Sequence, residues 1–251
     1  MTIDEFAENM KQKATKGLLE VSGTGKLSKR TWTFPKGEAE VMVIRGGAIE
    51  KAAIMHMTLQ GFTMPGVTGG ALDSVVFQME VFPEHPYCPM GHFNTQWITT
   101  EPRRYFMNLD LFPAIRVEED LGDMKAAMDV VADQFGRDRE KIREGLDTHY
   151  TMEHFAAPLA TKVGFKLLEL KDEGLDLFIT AYETFFGVYL DIISKRKRIA
   201  CTESDMQLKL ERNGKWLQYL ALKDRAIKGA RDQGIPPEVL IEMGFPPSVI
   251  F

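Results

Sequence analysis

Cysteine is nearly absent: Cys88 and Cys201 are the two in 251 residues. Two distant cysteines make no disulfide framework, so free thiols in a reducing compartment are expected. No run approaches the ~18 uninterrupted apolar residues of a bilayer-spanning helix. The opening stretch MTIDEFAENMKQKATKG lacks the apolar segment of a secretory signal. These absences point to a cytoplasmic chain without a membrane span. Excess positive charge is missing as well. A net charge of −5 and a pI of about 5.6 leave no electrostatic footprint for nucleic acid. The one dense basic run, Lys195–Arg198, follows a helical pattern, where cations complement the helix dipole. A phosphate loop is lacking too: around SGTGKLS, Glu20 and Leu27 occupy positions that G-x-x-x-x-G-K-[ST] reserves for glycine and a hydroxyl. PGVTGG at 65–70 has no strand-to-helix context and reads as a loop. His149 and His154 are five apart and share no helical face, so no metal site is expected. His56 reads as a core or pocket-wall histidine.

What is present is ordinary globular material, 44% hydrophobic and 27% charged, enough for a sizeable core. Thr2 and Glu5 form a T-x-x-E capping box ahead of Phe6, Met10 and Leu18 at roughly helical spacing. Strands are predicted over 30–34, 40–45, 49–59, 73–82, 91–98 and 104–112, separated by turn signals such as PKG, GG and TTEPR. The period then changes. Leu121, Met124, Met128, Val131 and Phe135 mark an amphipathic helix. Further helices are predicted over 138–147, 174–194 and 237–243, with strands over 162–170 and, after an Asn213-Gly214 turn, over KWLQYLAL. Strands first and helices mostly later imply an α+β fold, helices packed on a largely antiparallel sheet. The expectation is one domain over 1–251, with 1–29 as an N-terminal helical extension.

The stretch HPYCPMGHFNTQW carries the chemistry. A strand puts alternate residues on one face, so His92, Asn94 and Gln96 share a side. The short TTEPR loop makes 91–98 and 104–112 antiparallel neighbours. If Ile98 faces Arg104, then Gln96 faces Phe106, Asn94 faces Asn108 and His92 faces Asp110. One face then holds His92, Asn94, Gln96, Arg104, Asn108 and Asp110. The other holds Phe93, Trp97, Tyr105, Met107, Leu109 and Leu111. A one-residue slip would mix the two sets. Such a polar face can be the wet side of a one-sided sheet. It can also be a pocket floor, because it carries amides, an imidazole and a carboxylate where surface strands carry Lys and Glu.

Several segments, in order, resemble the oxygen-dependent coproporphyrinogen III oxidases. TWTFPKGEAEVMVIRGGAIEKAAI carries a W-x-x-P and a later G-x-x-E-K-A element. HPYCPMGHFN resembles N-P-x-x-P-x-x-H-x-N, with His85 for its asparagine. LDLFP resembles D-L-T-P, and KRKRIACTESDMQLKLERNGKWLQYLALKDRA resembles the long region ending in D-R-G. The resemblance runs from about residue 30 to the end.

It implies an α/β/α sandwich with a large antiparallel sheet, usually a homodimer, using neither metal nor organic cofactor. Family members convert propionates of a porphyrinogen to vinyl groups, consuming molecular oxygen and releasing carbon dioxide. By the same resemblance Asp110 is the central carboxylate beneath the pyrrole N–H groups. His92 and Asn94 lie under the substrate, and Arg225 pairs with a propionate. Gln96, Asn108, Arg104 and Lys162 complete the expected binding set. The departures are specific: Gln96 replaces an arginine, Phe106-Met107-Asn108 a glycine triplet and ATKVGF a segment with arginines, and another family arginine falls near Pro236. Lost bidentate arginines are not replaced by other donors without consequence. Ferredoxin-dependent bilin reductases share this architecture and need fewer cations, because a bilin has two propionates. That reading makes His92 and Asp110 a coupled proton-donating pair, with ferredoxin as partner. A tetrapyrrole-binding protein without catalysis is a third reading.

Overall fold

Period-two alternation between residues 26 and 112 folds as six consecutive antiparallel strands: β1 (Lys26–Phe34), β2 (Gly37–Gly46), β3 (Ile49–Phe62), β4 (Leu72–Pro83), β5 (Met90–Ile98) and β6 (Arg104–Phe112). A seventh, β7 (Lys166–Glu169), pairs with β6, giving an open sheet in the order β1 to β7. This is seen in a computed structural model that describes residues 2–63, 70–101, 103–169 and 175–251, apart from the side chains of Glu169 and Arg225. Most of PGVTGG and Pro102 of TTEPR therefore lie outside the described residues.

The helices are α1 (Ile3–Ser22), α2 (Glu118–Gln134), α3 (Leu146–His149), α4 (Leu175–Arg196), α5 (Glu203–Leu222), α6 (Arg225–Asp232) and α7 (Pro237–Gly244). They cover both faces of the sheet, so the fold is α+β, an α/β/α sandwich as expected. Under α1, α2 and α4 lies the larger apolar layer. Phe93 meets Phe185 and Tyr189 of α4 at ring-centroid distances of 5.0 and 5.5 Å. By length and apolar composition α4 could cross a membrane. Here its Phe178, Tyr182, Phe185 and Tyr189 are buried in this layer, and Lys195 and Arg196 in its last turn pair with Glu119 and Asp120 of α2.

Within residues 1–29, α1 packs on the sheet and β1 begins at Lys26. The Thr2–Glu5 capping box forms, and Phe6, Met10, Ala14 and Leu18 are fully buried one helical turn apart. Phe6 packs edge-on against Trp97 at 5.4 Å and Tyr182 at 5.9 Å. Truncating it to alanine would cost about 3–5 kcal/mol. Two expectations are corrected. The helix predicted over 138–147 is a 3-10 turn at Lys141–Arg143 followed by α3. KWLQYLAL is not a strand, because α5 runs through it, burying Lys209, Arg212, Asn213, Trp216, Tyr219 and Leu220 at helical spacing. Asn213-Gly214 is therefore a helix interior. Asn213 donates to Ser248 O at 2.9 Å, and a Cβ at Gly214 would stand 2.1 Å from Ile250 O. The glycine admits the chain's last residues against α5.

Candidate functional site

Strand pairing builds the polar floor row by row. Ile98 faces Arg104, Asn94 faces Asn108 and His92 faces Asp110, the register derived from the hairpin. The pairing of β4 with β5 adds Glu80 opposite His92 and Gln78 opposite Asn94, and β7 adds Lys166 opposite Asn108. The apolar alternates face α4, so these residues face α5–α7 across a cavity of about 750 Å³. Small-molecule pockets run from ~300 to ~1,000 Å³, so this one suits a large ligand. Its roof comes from Trp216, Tyr219 and Leu220 of α5, Ile227 of α6 and Val239 and Met243 of α7. The polar sheet face is a covered floor, not a wet exterior.

At its centre runs a chain of hydrogen bonds. His92 Nδ1 lies 2.6 Å from Glu80 Oε1, and the Tyr150 hydroxyl lies 2.8 Å from His92 Nε2. Gln78 Nε2 donates to Glu80 Oε1 at 2.9 Å. Burial, with Tyr219 alongside, holds the Tyr150 phenol well above its usual range, so Tyr150 remains a donor. A donating phenol at Nε2 fixes the tautomer with Nδ1–H directed at the carboxylate. Glu80 is fully buried, and its Oε2 has no hydrogen-bond partner among the described residues. An unpaired buried carboxylate oxygen costs free energy unless a ligand supplies the donor. Asp224 also lines the cavity. Burial pushes its carboxyl up, against the backbone N–H of Ile227, which it accepts as the N-cap of α6.

The expected residues divide. His92, Asn94, Gln96 and Asn108 line the cavity. Asp110 does not, although it faces His92 in register. Its two oxygens accept from Thr161 N, Thr161 Oγ1, Lys162 N and Val163 N at 2.9–3.2 Å, and from Gly164 N at 3.4 Å. Burial raises its proton affinity and those donors lower it. Asp110 thereby pins the 161–164 segment to β6. Gly164 fits there because a Cβ would stand 1.9 Å from Leu109 O. The expected His92–Asp110 proton pair is thus replaced by His92–Glu80, since Asp110's acceptor capacity is taken. Lys162 sits outside the cavity, 3.6 Å from Asp147, with a left-handed φ of 63°. Arg104 does not line it either. Arg225 opens α6, and its side chain lies outside the described residues. His56 pairs with Phe77 on the α4-facing side of the sheet, away from the cavity.

Sequence reasoning missed Glu80, Gln78, Tyr150, Lys166 and Lys223. Among the described residues no three His, Cys, Asp or Glu side chains gather as metal ligands. The cations lining the cavity, among the described residues, are Lys166 and Lys223. A family model for coproporphyrinogen III oxidase matches residues 2–249.

Proposed function

The chain belongs to the coproporphyrinogen III oxidase family, oxidoreductases of tetrapyrrole metabolism, and from that premise we propose that it oxidises a porphyrinogen held between the β4–β6 floor and the α5–α7 roof. The family's resemblance supplies the reaction class. A propionate, –CH2–CH2–COOH, reacts with O2 to give –CH=CH2, CO2 and H2O2, so oxygen takes the two electrons and two hydrogens with no metal or organic cofactor. The observation that carries the assignment is the Tyr150–His92–Glu80 chain on the floor of a cavity of macrocycle size.

Within it each group has a task. Glu80 Oε2, buried and unpartnered among the described residues, accepts pyrrole N–H groups at the ring centre, the role that the resemblance gave to Asp110. His92 and the Tyr150 hydroxyl move the proton released as the propionate is oxidised. Asn94, Asn108 and Gln96 orient the ring from below. The test is aerobic incubation with coproporphyrinogen III and no added cofactor, following vinyl product by mass spectrometry. Absence of product would remove the oxidase reading.

One observation favours a second chemistry. Two lysines, with no arginine among the described lining side chains, suffice for a linear tetrapyrrole with two propionates. The same Tyr150–His92 donors would then protonate a bilin as electrons arrive from ferredoxin. Bleaching of bound biliverdin that requires ferredoxin and a reductant would select this alternative.

A further inference from the structure

The cavity's two ends differ in kind. One row of paired residues crosses its floor, Met55–Gln78–Asn94–Asn108–Lys166, from β3 to β7. Four inter-strand steps of about 4.8 Å separate its ends by roughly 19 Å, the scale of a substituted tetrapyrrole.

At the β7 end both ammonium groups are tied to one short segment. Lys166 Nζ donates to Gly145 O at 3.3 Å, and Lys223 Nζ donates to Thr148 O at 3.0 Å and Thr151 O at 2.6 Å. Gly145 and Thr148 are three residues apart, so these anchoring carbonyls lie about one helical turn, or 5 Å, from each other. Gly145 takes a left-handed φ of 79°, and a Cβ there would stand 2.9 Å from Lys166 Nζ. An ammonium has three N–H donors. Two remain on Lys166 and one on Lys223 for a ligand.

At the β3 end the floor is Met55, Met57 and Leu59, and Val239 and Met243 close it from above. Lys36, near that end, does not line the cavity and donates to Gln233 Oε1 at 2.6 Å. Lys51 is buried behind α7, bonded to Ile241 O and Phe245 O. Glu80, two residues along β4 from Gln78, lines the floor between the two ends and disfavours a further anion beside it.

Resting on the reading of a tetrapyrrole in this cavity, we infer that Lys166 and Lys223 bind two carboxylates on one edge of the ring, and that the substituents of the opposite edge lie against Met55, Met57 and Met243 with no cation among the described residues to meet them. Recognition is one-edged.

Absorbance titrations with three probes test this. Coproporphyrin III carries a carboxylate on every pyrrole, deuteroporphyrin IX carries two on one edge, and deuteroporphyrin IX dimethyl ester carries none. The two acids are expected to bind within about tenfold of each other, and the ester at least about tenfold more weakly than its parent acid. The double variant Lys166→Met with Lys223→Met is expected to weaken deuteroporphyrin IX to the level of the ester and to leave ester affinity unchanged. Unaltered ester affinity also reports that the variant is folded. Coproporphyrin III binding more than tenfold tighter than deuteroporphyrin IX overturns one-edged recognition and leaves the tetrapyrrole reading standing. So does an ester that binds as tightly as its acid. If none of the three binds, the tetrapyrrole reading itself falls, and the inference with it.

Discussion

Glu80 and His92 face each other across β4 and β5 with Oε1 and Nδ1 2.6 Å apart, both buried. The carboxylate orients the imidazole and leaves its own second oxygen turned to a ligand. Glu80→Gln keeps the shape and removes the charge. Glu80 holds His92 in the orientation that moves the proton, and such acid–base catalysis contributes ~10²–10⁴-fold, so kcat should fall about a hundredfold or more. Affinity for a porphyrin should change much less. Steady-state kinetics beside a porphyrin titration separate the two, and an unchanged kcat would exclude Glu80 from the chemistry.

Tyr150 makes a different prediction. Burial holds its phenol well above the usual range, so it does not ionise within an accessible assay window. Wild-type kcat should therefore show no alkaline limb assignable to Tyr150 up to about pH 9.5. Tyr150→Phe removes the donor to His92 Nε2 and should lower kcat at least about tenfold at every pH. Parallel pH profiles for the two proteins are expected. An alkaline limb in wild type that vanishes in the variant would show that the phenol does ionise.

Asp110 is assigned a mechanical task here. Asp110→Asn turns one acceptor oxygen into an NH2 group facing backbone N–H donors of the 161–164 segment. A buried N–H donor left without its acceptor costs about 1–3 kcal/mol. The expected outcome is a large drop in denaturation midpoint, with faster hydrogen exchange at Thr161–Gly164. If the Asp110→Asn protein keeps wild-type stability yet loses activity, Asp110 returns to the chemistry.

The part of this site that could be read in the sequence was the part closed by a short loop. TTEPR is tight enough to fix which residues face each other, and His92, Asn94 and Asn108 fell on one side because polar and apolar types alternate cleanly there. The β4–β5 connection, PEHPYCP, is no tight turn. Its register could not be derived, and Glu80 in FQMEVF stayed hidden among apolar residues. Facing positions also do not guarantee contact. Asp110 is opposite His92, yet five donors from a segment fifty residues away claim its oxygens. Lys166 arrives by the pairing of β7 with β6, whose register no short loop fixes, and Tyr150 and Lys223 reach the cavity through tertiary packing, which leaves no periodic trace. α5 was misread for a related reason: Asn-Gly is a strong turn signal, overridden here by a helix whose buried positions step by three and four.

Lys51 supplies a pH dependence with a definite sign. It is 2% exposed, caps the end of α7 through Ile241 O and Phe245 O, and burial pushes its ammonium down to about 8. Unfolded lysine titrates near 10.4. Below pH 8 both states carry the proton, and the folded protein bears the full cost of the buried charge. Between about pH 8 and 10.4 the folded state releases this proton while the unfolded chain keeps it. The unfolded state then binds more protons, so this residue's contribution to stability rises with pH, by a total on the order of 3 kcal/mol. Lys51→Met removes the titrating group and also leaves two carbonyls without their donor, so its absolute stability at one pH decides nothing. The difference in slope does. Urea unfolding at pH 7.5, 8.5 and 9.5 should show wild-type stability gaining on the variant as pH increases. Curves that stay parallel across that range would mean that the Lys51 amine is as well solvated in the folded protein as in the unfolded chain.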